Sequence, residues 1–299
     1  MNNLSMKHMR YFDALARHGH FGRAAADCSV SQPALSVQIK ELEALIGARL
    51  VERSARQIRL TPLGERFAAR VRDILQAVDE LDDLSRASRR PFTGQFRIGV
   101  IPTVAPYLLP RLIMGLGEIY GGLDIRPREA VTRKLLADLA DGRLDAAIVA
   151  LPVAEASFAE KSLFEEEFVL VRPIREAGAP VPGLEELQDR RLLLLEEGHC
   201  FREQAIAFCK IAPTPSRDLI EGSSLTTLVQ MVGADIGVTL IPDIAVPMET
   251  RSASVAVARL PEPRPSRTIG MVWRKTNPLG DELAAIAETM AGMDLARNG

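Results

Sequence analysis

The stretch Phe21-Gly-Arg-Ala-Ala-Ala-Asp-Cys-Ser-Val-Ser-Gln-Pro-Ala-Leu-Ser-Val-Gln-Ile-Lys-Glu-Leu-Glu-Ala-Leu-Ile46 decides how the N-terminal part of this chain folds. Its first half is Ala-rich and predicts a short helix, with Cys28 inside it as a small buried hydrophobe. Ser31 is a good N-cap for a second helix, Pro33 suits its first turn and Gly47 supplies its stop. Along that second helix Leu35, Ile39, Leu42 and Ile46 recur at helical spacing and predict the inward face. Gln32, Ser36, Gln38 and Lys40 occupy the other side. Two helices around a tight turn, the second opening on small polar groups, make a helix-turn-helix. The major groove of double-stranded DNA admits such a helix, and Gln or Ser can share hydrogen bonds with base edges there.

Working outward, Lys7–Leu15 predicts a preceding helix with Met9, Phe12 and Leu15 on one face. Leu50 to Thr61 alternates like a hairpin, and its Arg53, Arg56 and Arg59 suit phosphate contacts in the manner of a wing. Charge supports this. The chain of 299 residues carries a formal net charge of only −2, but residues 1–72 hold 12 Lys+Arg against 6 Asp+Glu, and the rest hold 25 against 33. A basic head on an acidic body points to an anionic partner for the head. These features alone still leave open a small helical domain with a solvated basic face.

The residues Phe21, Arg23-Ala-Ala, Ser31-Gln-Pro-Ala-Leu-Ser, Ile39, Leu42-Glu, Gly47, Leu50-Val-Glu-Arg and Leu60-Thr-Pro-Leu-Gly together resemble the winged helix-turn-helix of LysR-type transcriptional regulators. That resemblance implies that Ser31, Gln32, Pro33 and Ser36 approach bases and that Arg53 holds the DNA backbone. It also implies a winged domain over residues 1–61, followed by a linker helix and hinge over 62–94. Phe67, Val71, Ile74, Val78 and Leu81 step by heptad spacing in that helix, which predicts pairing with a second copy. Asp79, Glu80, Asp82 and Asp83 form its solvated face, and packing against its own chain is the competing reading. A two-fold protein predicts a roughly palindromic operator. The family adds a homotetramer, and RNA polymerase as a further partner.

Beyond Gly94 strands and helices alternate, which predicts an α/β body of βαβ units with parallel sheets and helices on both faces. The expected strands start at Phe96, Leu123, Asp145, Phe168, Arg191, Ile236 and Arg267, and a final helix runs from Leu279. By resemblance, the regulatory domain over 95–299 is a two-lobed, periplasmic-binding-protein-like α/β domain. One lobe holds 95–165 and 268–299, and the other holds 166–267. No phosphate loop, zinc spacing or nucleophile elbow is present, so the expectation is no cofactor, no metal and no enzyme activity. Three cysteines are too few for a disulfide framework, and no apolar run suits a signal peptide or a membrane span. A cytoplasmic location without membrane contact follows as an expectation.

Gly198-His-Cys-Phe-Arg-Glu-Gln-Ala-Ile-Ala-Phe-Cys209 is the most informative stretch of the body. A thiol in the first turn of a helix feels its positive end, and Arg202 adds charge, both of which favour the thiolate. If 200–209 is helical, its ends lie ~13.5 Å apart, whereas a disulfide needs Cα atoms within ~7 Å. Bonding would therefore require the helix to unwind. On these grounds alone, two unrelated buried thiols remain the ordinary reading. The stretch, however, resembles the redox segment of peroxide-sensing LysR-type activators. So do Ile98-Gly-Val-Ile-Pro-Thr-Val-Ala-Pro-Tyr, Glu129-Ala-Val-Thr-Arg-Lys-Leu-Leu, Ser224-Leu-Thr-Thr-Leu and Arg267-Thr-Ile-Gly-Met-Val-Trp-Arg. The resemblance implies that hydrogen peroxide oxidises Cys200 and that Cys209 resolves it as a disulfide. It further implies that Thr103, Thr132 and His199 bind the peroxide and that Arg202 and Arg267 add positive field. Glu203 stands where Asp is usual, and Thr226 where Glu is usual. A metabolite co-inducer between the lobes and a turning-over thiol peroxidase are the alternatives, and the DNA-reading head argues against the second.

Overall fold

The computed structural model describes residues 4–53, 58–87, 92–183, 186–187, 190–209, 220–293 and 295. It divides into two compact units, residues 1–85 and 86–299. In the first unit, α1 (Met6–His18) begins at Ser5, whose hydroxyl accepts from the His8 amide, and ends at Gly19 in the left-handed region. The second helix, α2 (Phe21–Asp27), is capped by the His20 ring, whose Nδ1 accepts from Gly22 N at 3.0 Å. Cys28 is the residue that closes α2 and is half-buried; the expected buried helical position is thus corrected, because Val30 and Ser31 already belong to the turn. The third helix, α3 (Gln32–Ile46), starts at the Ser31 cap and stops at Gly47, as its sequence signals predict.

Phe12, Leu15, Leu35, Ile39, Leu42 and Leu50 are fully buried together. The Glu43 carboxylate accepts from Leu50 N at 2.8 Å and Val51 N at 3.1 Å, tying α3 to the hairpin of β1 (Val51–Arg53) and β2 (Ile58–Leu60). Arg56 and the side chain of Arg53 lie outside the described residues. The long helix α4 (Pro62–Ala87) leaves this core through Gly64, where a Cβ would lie 2.0 Å from the Leu50 carbonyl. Its apolar seam divides. Phe67, Ala68, Val71 and Leu75 pack in the unit's own core, and Phe67 meets Phe12 edge to face at 5.4 Å. Further along, Ile74 and Leu81 are 43% and 65% exposed. Residues 89–91 of the expected hinge lie outside the described residues.

The second unit begins with β3 (Gly94–Val100), α5 (Ala105–Ile119), β4 (Leu123–Glu129), α6 (Thr132–Ala140) and β5 (Ala146–Leu151). It continues through β6 (Phe158–Pro173), β7 (Leu193–Leu195), α7 (Cys200–Phe208), β8 (Ile220–Gly222) and α8 (Leu225–Gly233). It closes with β9 (Thr239–Pro242), α9 (Val246–Glu249), β10 (Val255–Arg259), β11 (Ser266–Arg274) and α10 (Gly280–Gly292). The main sheet has the order β10-β6-β11-β5-β3-β4, with β9 also on β6. It is mixed, which corrects the expected parallel arrangement: β3 pairs in parallel with β4 and β5, but β11 runs antiparallel to both β5 and β6. The cause is the 16-residue β6, which starts ten residues before the expected strand at Phe168. It carries the chain from one core to the other as a single strand, and β11 returns beside it, from Ser266 opposite Glu167 to Arg274 opposite Phe158.

Two apolar cores flank these crossing strands. One gathers Ile98, Val100, Leu108, Leu135, Ile148, Ile269, Met271 and Ile286, and the other Val169, Leu170, Leu193, Leu194, Leu228, Val229 and Ile241. Among the described residues, no helix is long and apolar enough to cross a membrane.

Candidate functional site

Helix α7 connects the two cores of the second unit. Cys200 is its first residue, half-exposed and packed against the β3/β5 core, whereas Cys209 closes its far end, fully buried in the other core. None of the three cysteines is joined in a disulfide. Burial pushes the Cys209 thiol up to about 11. Phe201 anchors the helix between them, meeting Phe168 edge to face at 4.8 Å, with the Arg267 guanidinium 5.2 Å from its ring centre. Nine helical steps separate the thiols, so their Cα atoms stand ~13.5 Å apart in this state.

Cys200 opens on a cleft of about 580 Å³ lined by Thr132, Arg133, Leu136, Ala137, Ala140, Glu155, Gly198, His199 and Glu203. The α6 contribution is one helical stripe, since those residues recur at i, i+1, i+4, i+5 and i+8. Thr132, the first residue of α6, has a buried hydroxyl without a hydrogen-bond partner. A buried hydroxyl left unpaired is costly, so a polar group entering the cleft would relieve it. His199 is half-buried, and desolvation holds its ring below the ordinary histidine range despite Glu196 and Glu129 nearby. The ring is therefore neutral at pH 7 and has both a donor and an acceptor to offer.

The other expected residues lie elsewhere. Thr103 lines a smaller cavity of about 110 Å³, shared with Glu129, Thr226, Glu249 and again His199. Its hydroxyl accepts from Arg267 Nη1 at 3.0 Å. Arg267 is fully enclosed, and its guanidinium donates to Glu166 through Nε at 2.7 Å. Burial raises the Glu166 carboxyl against the pull of Arg267. Arg267, expected to add positive field, is thus a buried residue paired with Glu166 that also holds Thr103. Arg202 is likewise engaged: two positions along a helix do not share a face, and its Nη1 donates to the Leu195 carbonyl at 2.7 Å and pairs with Glu221 at 2.8 Å.

The structure therefore brings Cys200, Thr132 and His199 onto one cleft, and Thr103 and Arg267 into a second network that meets the first at His199. Glu166 escaped the sequence reading, although Phe164, Glu166 and Phe168 fall on one side of a strand by alternation. The Tyr107 hydroxyl donates to Glu249 at 2.6 Å inside the smaller cavity, and nothing in local sequence marks this contact between residues 142 apart. In the first unit, Gln32 and Pro33 are exposed at the start of α3, with Ser36 half-exposed one turn on. Val37, 52% exposed beside them, adds an apolar side chain to the same exposed surface, which sequence pattern did not mark.

Comparison with known proteins agrees with both units. Residues 6–65 match the family model for "Bacterial regulatory helix-turn-helix protein, lysR family", and residues 89–293 match "LysR substrate binding domain". The chain is 42% identical over 277 residues to a probable hydrogen peroxide-inducible genes activator of Streptomyces viridosporus, covering 90% of this chain and 88% of that protein. It is 38% identical over 296 residues to the DNA-binding transcriptional dual regulator OxyR of Escherichia coli K12, covering 97% and 96%. Among solved structures, a full-length OxyR variant from Pseudomonas aeruginosa superposes with a TM-score of 0.77 at 34% identity, over 99% of this chain and 98% of that one. A hydrogen peroxide-bound OxyR mutant from Corynebacterium glutamicum gives 0.67 at 33% identity, over 98% and 94%.

Proposed function

This chain belongs to the LysR family of bacterial regulatory proteins, and from that premise we propose that it is a DNA-binding transcription activator switched by hydrogen peroxide through Cys200. The observation that carries the proposal is the placement of Cys200. It is a free thiol on an open cleft, beside an unpartnered Thr132 hydroxyl, at one end of a helix whose other end holds Cys209. Similarity to proteins named as peroxide-inducible activators supports the same reading.

In the first step the Cys200 thiolate attacks one peroxide oxygen. An S–O bond forms, the O–O bond breaks and the second oxygen leaves as water once protonated. Thr132 and neutral His199, which line the same cleft as Cys200, hydrogen-bond the peroxide and the departing oxygen, and Thr103, bonded to Arg267, shares the smaller cavity with His199. In the second step the Cys209 sulfur attacks the Cys200 sulfenic sulfur, a disulfide forms and a second water leaves. Because the thiols sit in different cores at ~13.5 Å, the step requires α7 to unwind and Phe201 to leave its site. Oxidation is thereby converted into a refolding of the regulatory unit, which changes promoter binding.

The head reads a roughly palindromic duplex through Ser31, Gln32, Pro33, Ser36 and Val37, with Arg53 on phosphate. The exposed Ile74 and Leu81 pair two copies along α4, and a tetramer and contact with RNA polymerase complete the assembly. The domain limits are residues 1–61, 62–94 and 95–299. A footprint on the chain's own promoter, with reduced and peroxide-treated protein, tests sensing and reading together. The expected result is a protected region that changes in extent on oxidation in the wild type and stays unchanged in Cys200→Ser. A peroxide response that persists in full in Cys200→Ser sinks the proposal.

A further inference from the structure

The cleft over Cys200 is far larger than its proposed substrate. Hydrogen peroxide is little bigger than a water molecule, which occupies about 30 Å³ in the liquid, whereas the cleft measures about 580 Å³. Its wall also has two characters. Thr132, His199 and Cys200 supply polar and reactive groups at one part. Leu136, Ala137 and Ala140 continue the same face of α6 as an apolar surface, half-buried at Leu136 and exposed at both alanines. Leu136 and Cys200 line the same cleft and pack against the same core, so the apolar surface and the thiol share one opening. Charged residues are confined to Arg133, Glu155 and Glu203, a lining with one more acid than base. That balance favours a neutral guest over an anionic one.

We propose that this cleft admits neutral alkyl hydroperoxides as a second class of oxidant for Cys200, with the alkyl group resting on Leu136, Ala137 and Ala140. The inference rests on the reading of Cys200 as the oxidised thiol. The Cys200 thiolate attacks the terminal oxygen of the hydroperoxide, the S–O bond forms and the O–O bond breaks. Cys200 becomes the sulfenic acid, oxidised by two electrons, and the hydroperoxide is reduced to the alcohol. The proton released when the thiol ionised returns to the leaving alkoxide oxygen, so the sum is thiol plus hydroperoxide to sulfenic acid plus alcohol. The terminal O–H of the hydroperoxide donates to the Thr132 hydroxyl oxygen, as an O–H of hydrogen peroxide would. The alkyl group replaces water over the apolar stripe, a gain that grows with each methylene buried.

The test is the rate of Cys200 oxidation in the reduced full-length chain, followed by quenched alkylation and mass spectrometry. Hydrogen peroxide and cumene hydroperoxide are compared in the wild type, Ala137→Trp and Ala140→Phe. Both alanines are exposed on α6, so the bulky side chains fill the cleft without displacing a core. Wild type is expected to react with both oxidants. Each filled variant is expected to lose roughly ten-fold in rate with cumene hydroperoxide, the value of about two buried methylenes, and to keep its rate with hydrogen peroxide. Wild-type oxidation by hydrogen peroxide alone overturns this inference and leaves the peroxide reading standing. Cumene hydroperoxide rates unchanged in both filled variants overturn it too. No oxidation of Cys200 by either reagent overturns both.

Discussion

At residue 209, burial holds the thiol protonated up to about pH 11, against an ordinary 9.0. The consequence for stability has a definite sign. A folded-state pKa raised above the unfolded value means that the folded chain keeps its proton while the unfolded chain loses one. Stability from this group is complete below pH 9 and falls as pH rises from 9 to 11, by at most about 1.4 kcal/mol per unit. Unfolding of the reduced protein in urea at pH 8, 9 and 10 should therefore show a steeper loss in the wild type than in Cys209→Ala. Parallel curves would contradict this placement of the thiol. Thr132 supports a chemical prediction at the same scale. Thr132→Val keeps the shape and removes the hydroxyl, and should slow oxidation of Cys200 by hydrogen peroxide roughly ten-fold or more, read by alkylation kinetics. The cysteines and threonines were legible in the sequence because family motifs mark them. The compensation of Arg267 by Glu166 and of Arg202 by Glu221 was not, since each pair is made by strands or helices distant in the chain.

At the scale of the element, α7 and α4 each carry an apolar surface with two uses. Helix α7 is held by Phe201 between Phe168 and Arg267, and a disulfide between its ends is compatible only with its unwinding. Phe201→Ala should cost about 3 kcal/mol or more in the reduced state, measured by urea unfolding. It should also speed closure of the Cys200–Cys209 bond after oxidation, because less packing is lost. Helix α4 shows why the sequence reading left two options at its seam. Heptad spacing identifies an apolar stripe but not its partner, and the structure divides it between Val71, buried in its own unit, and Leu81, exposed. Ile74→Asp with Leu81→Asp should shift the chain toward monomer in sedimentation and leave the fold of the first unit intact, since neither residue packs in its core. The caps of α3 were legible to the residue, because Ser31 and Gly47 act through local backbone chemistry. The mixed sheet was not, because strand direction depends on where β6 and β11 return rather than on their composition.

For the whole molecule, a formal net charge of −2 conceals a basic stretch over residues 1–72 and an acidic remainder. DNA affinity should fall steeply with salt through the basic stretch, and the oxidation response should depend on the two thiols of the acidic remainder. The most direct measurement of the central claim is peptide mapping of the peroxide-treated full-length chain, with free thiols alkylated before digestion. The account predicts one cross-linked peptide joining Cys200 to Cys209, with Cys28 recovered alkylated. Recovery of Cys200 and Cys209 both as free thiols, or of Cys28 in the cross-link, would contradict it.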